Sequence, residues 1–289
     1  MFKVIWGLAV IAGAFVYLVN NYNEIIIYFS TINILNVFLS LSLLIIFKLF
    51  TIDLVKNSLG SIGWNPGFKK TFSFVSISQL GKFIPGGIWQ YVARFSNYKE
   101  NGITTKNSAK AFVVENIWLI LGSFFISIFY LFISKPDILL NQFHVSFSFS
   151  GRYFIAGAAL MLWLVVLFVT EFHYHTNTGT FSIKKIIWNF ISQTLMWTVY
   201  GISFFVLWNH ATSTNDLFFT IGAFGLSFLA GYIAIFAPGG IGVREATALF
   251  LFSTLFSNSV IGIYILVHRF IYTLVDLIFA GIAMIIIRL

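Results

Sequence analysis

The sequence predicts an all-α polytopic membrane protein: about six spanning helices plus two re-entrant broken-helix elements in an inverted-topology repeat. Three observations predict it. Only 9% of the 289 residues are charged, 17 Lys and Arg against 9 Asp and Glu, while 59% are hydrophobic and Phe alone fills 36 positions. A water-soluble domain carries roughly 25% charged residues. The apolar residues fall into blocks near the ~20 residues that a helix needs to cross a bilayer, leaving no length for a soluble catalytic domain. Two of these blocks are interrupted by the same tetrapeptide, Pro-Gly-Gly-Ile, starting at Pro85 and again 153 residues later at Pro238.

Taken in order, the first block follows Lys3. The polar stretch after it, Val19-Asn20-Asn21-Tyr22-Asn23-Glu24, lacks a small-residue cleavage pattern, so 3–20 reads as a retained span and not a signal peptide. Further spans are expected at 32–53, 107–133, 152–170, 186–208 and 259–288. Two apolar stretches do not behave as simple spans. Stretch 71–95 is broken by Pro85-Gly86-Gly87 and has cations on both sides, Lys69 and Lys70 before it and Lys99, Lys106 and Lys110 after it. Both flanks want the cytoplasmic side. A segment that enters and leaves from one side is a re-entrant hairpin, tolerated only where protein or water covers its broken backbone. Stretch 217–256 is broken by Pro238-Gly239-Gly240, and its flanks hold Asp216 and Ser257-Asn258 without a cation, which suits the outer side.

On this topology Lys3, Lys48, Lys56, Lys69, Lys70, Lys99, Lys106, Lys110, Lys184, Lys185 and Arg288 lie inside, and Lys135 and Arg152 outside. Both termini are then cytoplasmic in the cell membrane. The 153-residue shift also carries the span at 32 to about 185 and the span at 107 to about 260, near the starts expected at 186 and 259. The chain therefore divides, within a single membrane domain 1–289, into repeat one at 32–133 and repeat two at 186–288. Each repeat is a span, a broken element and a span, and the two run in opposite directions; 3–20 and 152–170 are extra spans.

Composition also excludes. The basic excess sits between apolar blocks and not on one wetted face, so it reads as orientation and not as nucleic-acid binding. With no Cys there is no disulfide, thiolate metal site or cysteine nucleophile. No His-Glu-x-x-His, Walker loop or nucleophile elbow appears, so no catalytic residue, cofactor or metal is assigned. His173 and His175, two apart in a loop, do not share a helix face and give no metal site.

Inverted repeats with helices broken at corresponding positions are the plan of secondary transporters, whose substrate site forms where the breaks meet. Broken helices expose N–H groups that favour an anion, and arginines extend that field. The expected substrate-binding residues are Pro85, Gly86, Gly87, Gln90 and Arg94 at the first break, Pro238, Gly239, Gly240, Arg244 and Glu245 at the second, and Arg269 in the last span. The plainer alternative is that each Pro-Gly-Gly is a tight turn between short spans, with Arg94 snorkelling to the interface. Glu115 and Asp276 are coupling or ion-pair candidates, because charges at such depth mark a partner or a pathway. The repeat shift takes Glu115 to position 268, beside Arg269, which suggests that these two pair across the repeat axis. Asp276 is seven residues after Arg269, on the same helix face, so the two form one polar stripe toward an interior cavity. Glu245 either neutralises Arg244 or contacts a head group. Lys82 is expected to snorkel at the cytoplasmic mouth, His268 to be a core histidine, and Trp89, Tyr91 and Trp118 to line a cavity or pack.

These motifs resemble the lysylphosphatidylglycerol synthase transmembrane-domain family of flippase-like membrane proteins. The resemblance rests on Gly81-Lys82-Phe83-Ile84-Pro85-Gly86-Gly87-Ile88-Trp89-Gln90 with Arg94, on Glu115, on Ala237-Pro238-Gly239-Gly240-Ile241-Gly242-Val243-Arg244-Glu245-Ala246, and on Arg269. It implies a membrane domain that moves a lipid between leaflets, with Pro238 to Glu245 and Arg94 around a central cavity. Stand-alone relatives imply lipid-linked sugars or polyprenyl phosphates as cargo, and the soluble aminoacyl-transferase domain of the bifunctional members has no counterpart in this sequence. The functional expectation is thus a flippase or transporter for an anionic amphipathic lipid, acting by alternating access, with a membrane lipid as substrate and a synthase or a second copy as partner. Two alternatives stand beside it: a membrane-embedded glycosyl- or other group transferase using Glu115, Glu245 or Asp276 as base, and a non-catalytic partner of a cell-envelope synthase.

Overall fold

The computed structural model describes residues 32–84, 88–134, 149–175, 182–208, 213–253 and 258–288. The expected span 3–20 and the Pro85-Gly86-Gly87 turn lie outside the described residues, as does most of the stretch around Lys135. Among the described residues there are nine α-helices and no strand. The chain is an all-α polytopic membrane protein: six of these helices are long and apolar enough to cross a bilayer. In hydrocarbon each backbone N–H and C=O needs a partner within its own segment, and a run of Leu, Ile and Phe offers no competing side-chain acceptor, so these blocks are continuous helices.

Helix α1 (Ile34–Gly60) starts at Asn33, whose side chain accepts the Leu35 N–H at 2.9 Å. Helix α2 (Phe68–Gln79) is 12 residues long and runs into a 3-10 turn, Leu80–Phe83; helix α3 (Trp89–Glu100), also 12 residues, leaves the first break. At about 1.5 Å per residue each arm is near 18 Å, little more than half of a ~30 Å hydrocarbon core. Helices α4 (Thr105–Ile133), α5 (Phe149–His175) and α6 (Ile183–Trp208) follow, all of spanning length. Helix α7 (Thr214–Ile233) opens on a capping box between Ser213 and Asp216. A 3-10 turn, Pro238–Gly240, leads to helix α8 (Val243–Phe252), and α9 (Asn258–Arg288) completes the described chain.

The partners of these helices are exchanged between the halves. α2 packs on α9 and α7 on α4, so the arm before each break lies on the last helix of the other half; α1 packs on α6, and the two 3-10 turns touch. Within each half the helix before the break meets the helix after it, α2 with α3 and α7 with α8. Thr105 and Asn258, which begin α4 and α9, stand at the 153-residue spacing of the Pro-Gly-Gly motifs. Small residues allow the crossed pairs to approach: Ser123 Oγ donates to the Gly225 carbonyl at 3.0 Å between α4 and α7. In α2, buried Ser73 and Ser78 turn their hydroxyls back to the Lys69 and Val75 carbonyls, which satisfies these polar atoms within the helix. Between α1, α6 and α7 the core is aromatic, with Phe204 stacked on Phe224 at 4.1 Å and Phe47 against Tyr200 at 4.8 Å.

The second broken element differs from the expected hairpin over 217–256. Its first arm, α7, has 20 residues and spans about 30 Å, so it is long enough to cross by itself. Cation-free flanks show which side a segment's ends prefer but not where its break falls, and Pro238 falls late. The expected span 32–53 also runs longer, to Gly60.

At the second break Gly239, Gly240 and Gly242 have φ of 59°, 72° and 87°. A Cβ on Gly240 would lie 2.7 Å from the Gly231 carbonyl oxygen, so the turn folds onto α7 only with glycine there. Gly240→Ala is expected to cost about 2 kcal/mol or more, read as a lowered midpoint in thermal melts in detergent. Gly157→Ala is the control. Nothing lies within 4 Å of that position on α5, and the same substitution there is expected to be neutral or stabilising by up to about 1 kcal/mol.

Candidate functional site

Beside the contact of the two 3-10 turns lies a cavity of about 100 Å³, walled by α1, the end of α2, α3, α4, α7, both 3-10 turns, α8 and α9. It is rich in charge for its setting. Five cations line it, Lys48, Lys82, Arg94, Arg244 and Arg269, with Glu115 opposite. Lys48 is the fifteenth of the 27 residues of α1 and Glu115 the eleventh of the 29 of α4, so these groups sit well inside helices of spanning length.

Each charge has a distinct arrangement. Asp276 on α9 binds two lysines at once: its Oδ1 is 2.5 Å from Lys48 Nζ, and its Oδ2 accepts from Lys82 Nζ. Lys48 also donates to the Tyr272 hydroxyl at 2.9 Å. Arg94 on α3 is ion-paired with Glu115 on α4, whose second oxygen, Oε2, is buried without a hydrogen-bond partner among the described residues. Arg269 donates to the Gly239 carbonyl, and its Nε is 3.7 Å from Glu245 Oε1. Glu245 meanwhile accepts the Gly242 N–H at 2.7 Å, capping the start of α8. Arg244 stands apart. It donates to the Tyr200 hydroxyl and lies over the rings of Tyr272, Tyr200, Phe228 and Phe224 at 4.9, 5.2, 5.5 and 5.7 Å, with no carboxylate at ion-pair distance among the described residues. Cation–π contacts of this kind soften the desolvation of a guanidinium but leave its charge uncompensated.

Five cations thus face three carboxylates, Asp276, Glu115 and Glu245, and the site carries a surplus of two positive charges. Burying a charge is costly unless it is paired, so an excess held at this depth points to an anion as the missing partner.

No family model matches this sequence, and no curated protein does.

The site is accordingly read from its chemistry. Of the residues expected to bind substrate, the structure places Gln90, Arg94, Gly239, Gly240, Arg244 and Arg269 on the cavity wall; Pro238 starts the 3-10 turn beside it, Glu245 stands behind Arg269, and Pro85, Gly86 and Gly87 are outside the described residues. Several expected partnerships differ. Glu115 pairs with Arg94, 21 residues away on the adjoining helix, and not with Arg269, because α3 folds back along α4; positions related by a two-fold axis meet only if they lie on it. Glu245 faces Arg269 and its own helix terminus, since the first turn of α8 points its third residue back at the cap and not toward Arg244. Lys82 does not snorkel: at 8% exposure it is drawn inward by Asp276. Lys48, counted among the cytoplasmic flank, is 5% exposed and bound to the same carboxylate. Asp276 shares its helix face with Arg269 but borders a separate, smaller void of about 10 Å³ behind the lysines. Trp118 is core, donating to Thr170 at 2.8 Å, Trp89 is exposed, and His268 is buried with Nε2 2.8 Å from Ser203 Oγ.

Sequence reasoning missed Lys48, Tyr200 and Tyr272 as site residues. A signal existed for Tyr272, which stands three residues after Arg269 and four before Asp276 on the polar stripe itself. Tyr91 carries a further role. It lines the cavity and also forms one wall of a larger, mostly apolar groove of about 540 Å³ between α3 and α4, where Ile88, Val92, Phe95, Ile103 and Phe112 are joined by Ser96, Lys99, Thr105 and Ser108. Its ring packs edge-on to Phe112 at 4.9 Å, and Tyr91 belongs to the linings of both the charged cavity and the groove. Among the described residues no group of three or more His, Asp or Glu is placed to hold a metal.

Proposed function

We propose that this membrane protein translocates an anionic amphipathic lipid between leaflets by alternating access. The observation that carries the reading is the surplus of two positive charges on the wall of a cavity built by both halves of the chain. The groove beyond Tyr91 supports a lipid over a free anion, because it offers an apolar path next to the charged chamber. The exchanged packing supports alternating access: each break leans on the other half, so rocking one half against the other opens the chamber from alternate ends. The carboxylates that a transferase would use as bases are instead engaged by cations or a backbone N–H, which suits counter-ions.

Cytoplasmic termini in a cell membrane follow on the positive-inside rule. Lys56 near the end of α1, Lys69 and Lys70 at the start of α2, Lys99 at the end of α3 and Lys106 and Lys110 at the start of α4 share one end of the bundle. Lys70 lies 5.7 Å over the Trp64 ring, and Trp64 packs on Tyr98 of α3 at 5.9 Å. The resemblance to flippase-like transmembrane domains points the same way.

Purified protein in phosphatidylcholine liposomes is expected to move a head-group-labelled anionic phospholipid across the bilayer. Arg244→Gln is expected to slow it by about tenfold or more, the scale of one lost charge-assisted contact in a dry site. Rates equal to those of empty liposomes, together with release of a labelled product from a lipid-linked donor, would replace translocation by group transfer.

A further inference from the structure

The charge on the cavity wall is concentrated on one side chain. Lys48 Nζ, Lys82 Nζ and the guanidinium carbon of Arg244 lie 4.1, 4.6 and 4.9 Å from the centroid of the Tyr272 ring. They come from α1, the 3-10 turn Leu80–Phe83 and α8, so the cluster exists only while the halves are in contact. Among the described residues Asp276 is the one carboxylate bonded to any of the three, and it borders the smaller void next to the main cavity. What faces the cavity is therefore cationic. Lys82 uses one of its three N–H groups on Asp276, and Arg244 one of its five on Tyr200. The other two ion pairs, Arg94 with Glu115 and Arg269 with Glu245, are neutral as pairs. The whole surplus of two charges belongs to the Tyr272 cluster.

A phosphodiester head group brings one negative charge, whereas a terminal phosphate ester brings nearly two above neutral pH and offers three acceptor oxygens. Resting on the lipid reading above, we propose that the Tyr272 cluster is a cradle for a doubly charged terminal phosphate or diphosphate, and that the protein selects lipids ending in such a group over diesters. The oxygens replace water on Lys82 and Arg244 with charge-assisted hydrogen bonds, and Asp276 remains behind as the anchor that keeps the lysines in place.

The experiment is binding of tail-matched probes to the full chain in phosphatidylcholine nanodiscs at pH 8: dimyristoyl phosphatidic acid, a monoester, against dimyristoyl phosphatidylglycerol, a diester, with inorganic phosphate as competitor. The monoester is expected to bind about tenfold more tightly or better. Lys82→Gln and Arg244→Gln are each expected to weaken monoester binding more than diester binding and so to shrink that preference to about threefold or less. Arg244→Gln strands no carboxylate and reads the result even if Lys82→Gln does not fold. Equal affinities in wild type, or a preference untouched by both variants, would overturn the cradle. If the preference holds but liposomes show no translocation, the cradle stands and the transport reading falls. If millimolar inorganic phosphate displaces the monoester completely, the cradle again stands, and its ligand is a free anion.

Discussion

Asp276→Ala is expected to lower the melting temperature by about 10 °C or more. Removing this carboxylate leaves Lys48 and Lys82, both nearly buried, facing each other without a counter-charge. Breaking a buried ion pair by deleting one partner costs about 3–5 kcal/mol, and here two partners are stranded. For a chain of this size each kcal/mol moves the midpoint by about 2–4 °C. Replacing the three charges together, Asp276→Ala with Lys48→Met and Lys82→Met, is expected to restore wild-type stability or exceed it, because apolar groups of similar volume avoid the desolvation of all three. The restored variant is nonetheless expected to lose the cation cluster and with it the phosphate preference. A fluorescence-detected melt of the single and triple variants in one detergent separates these outcomes. If the single variant melts with wild type, the lysines are hydrated and Asp276 is not their anchor.

The same cluster shows what could be read from the residues and what could not. The helices were legible, because apolar blocks of spanning length leave few alternatives, and the Pro-Gly-Gly pair at 153-residue spacing located the second break where Gly239, Gly240 and Gly242 turn the backbone. On the cavity wall, Arg244 was legible from its distance to that break and Arg269 from its depth in the last span. The partners were not. Lys48 meets Asp276 across most of the sequence, and nothing local distinguishes a lysine that turns inward from one that reaches for the interface; the choice is made by a carboxylate on another helix. Spacing along one helix does determine which side chains share a face, which is why Arg269, Tyr272 and Asp276 form one stripe. It does not determine which wall that stripe meets, and Asp276 turned out to stand behind the cavity and not on it. The length of α7 was hidden for a related reason: flanking charges report the side of a loop, whereas the reach of an arm depends on where the proline falls.

The ion pair nearest the apolar groove gives the second large effect. Glu115→Ala is expected to destabilise the protein by about 3–5 kcal/mol, since Arg94, 3% exposed, is left without a counter-ion in the wall between α3 and α4. Arg94→Ala strands Glu115 in turn, and that carboxylate already has one oxygen, Oε2, without a donor. The double variant Arg94→Ala, Glu115→Ala removes both charges and is expected to cost much less than the sum of the two, a coupling of about 2–3 kcal/mol in a double-mutant cycle. Glu115 with Arg269, the pair suggested by the repeat spacing, is expected to couple by less than about 0.5 kcal/mol, because Arg269 is held by Gly239 and Glu245 instead. Equilibrium unfolding of the two cycles in the same detergent decides between them. Equal coupling would mean that Glu115 serves both arginines and that the wall between cavity and groove is shared by the two halves. A large value for Arg94 alone makes α3 and α4 one unit, with Tyr91 fixed on it where it borders both the cavity and the groove.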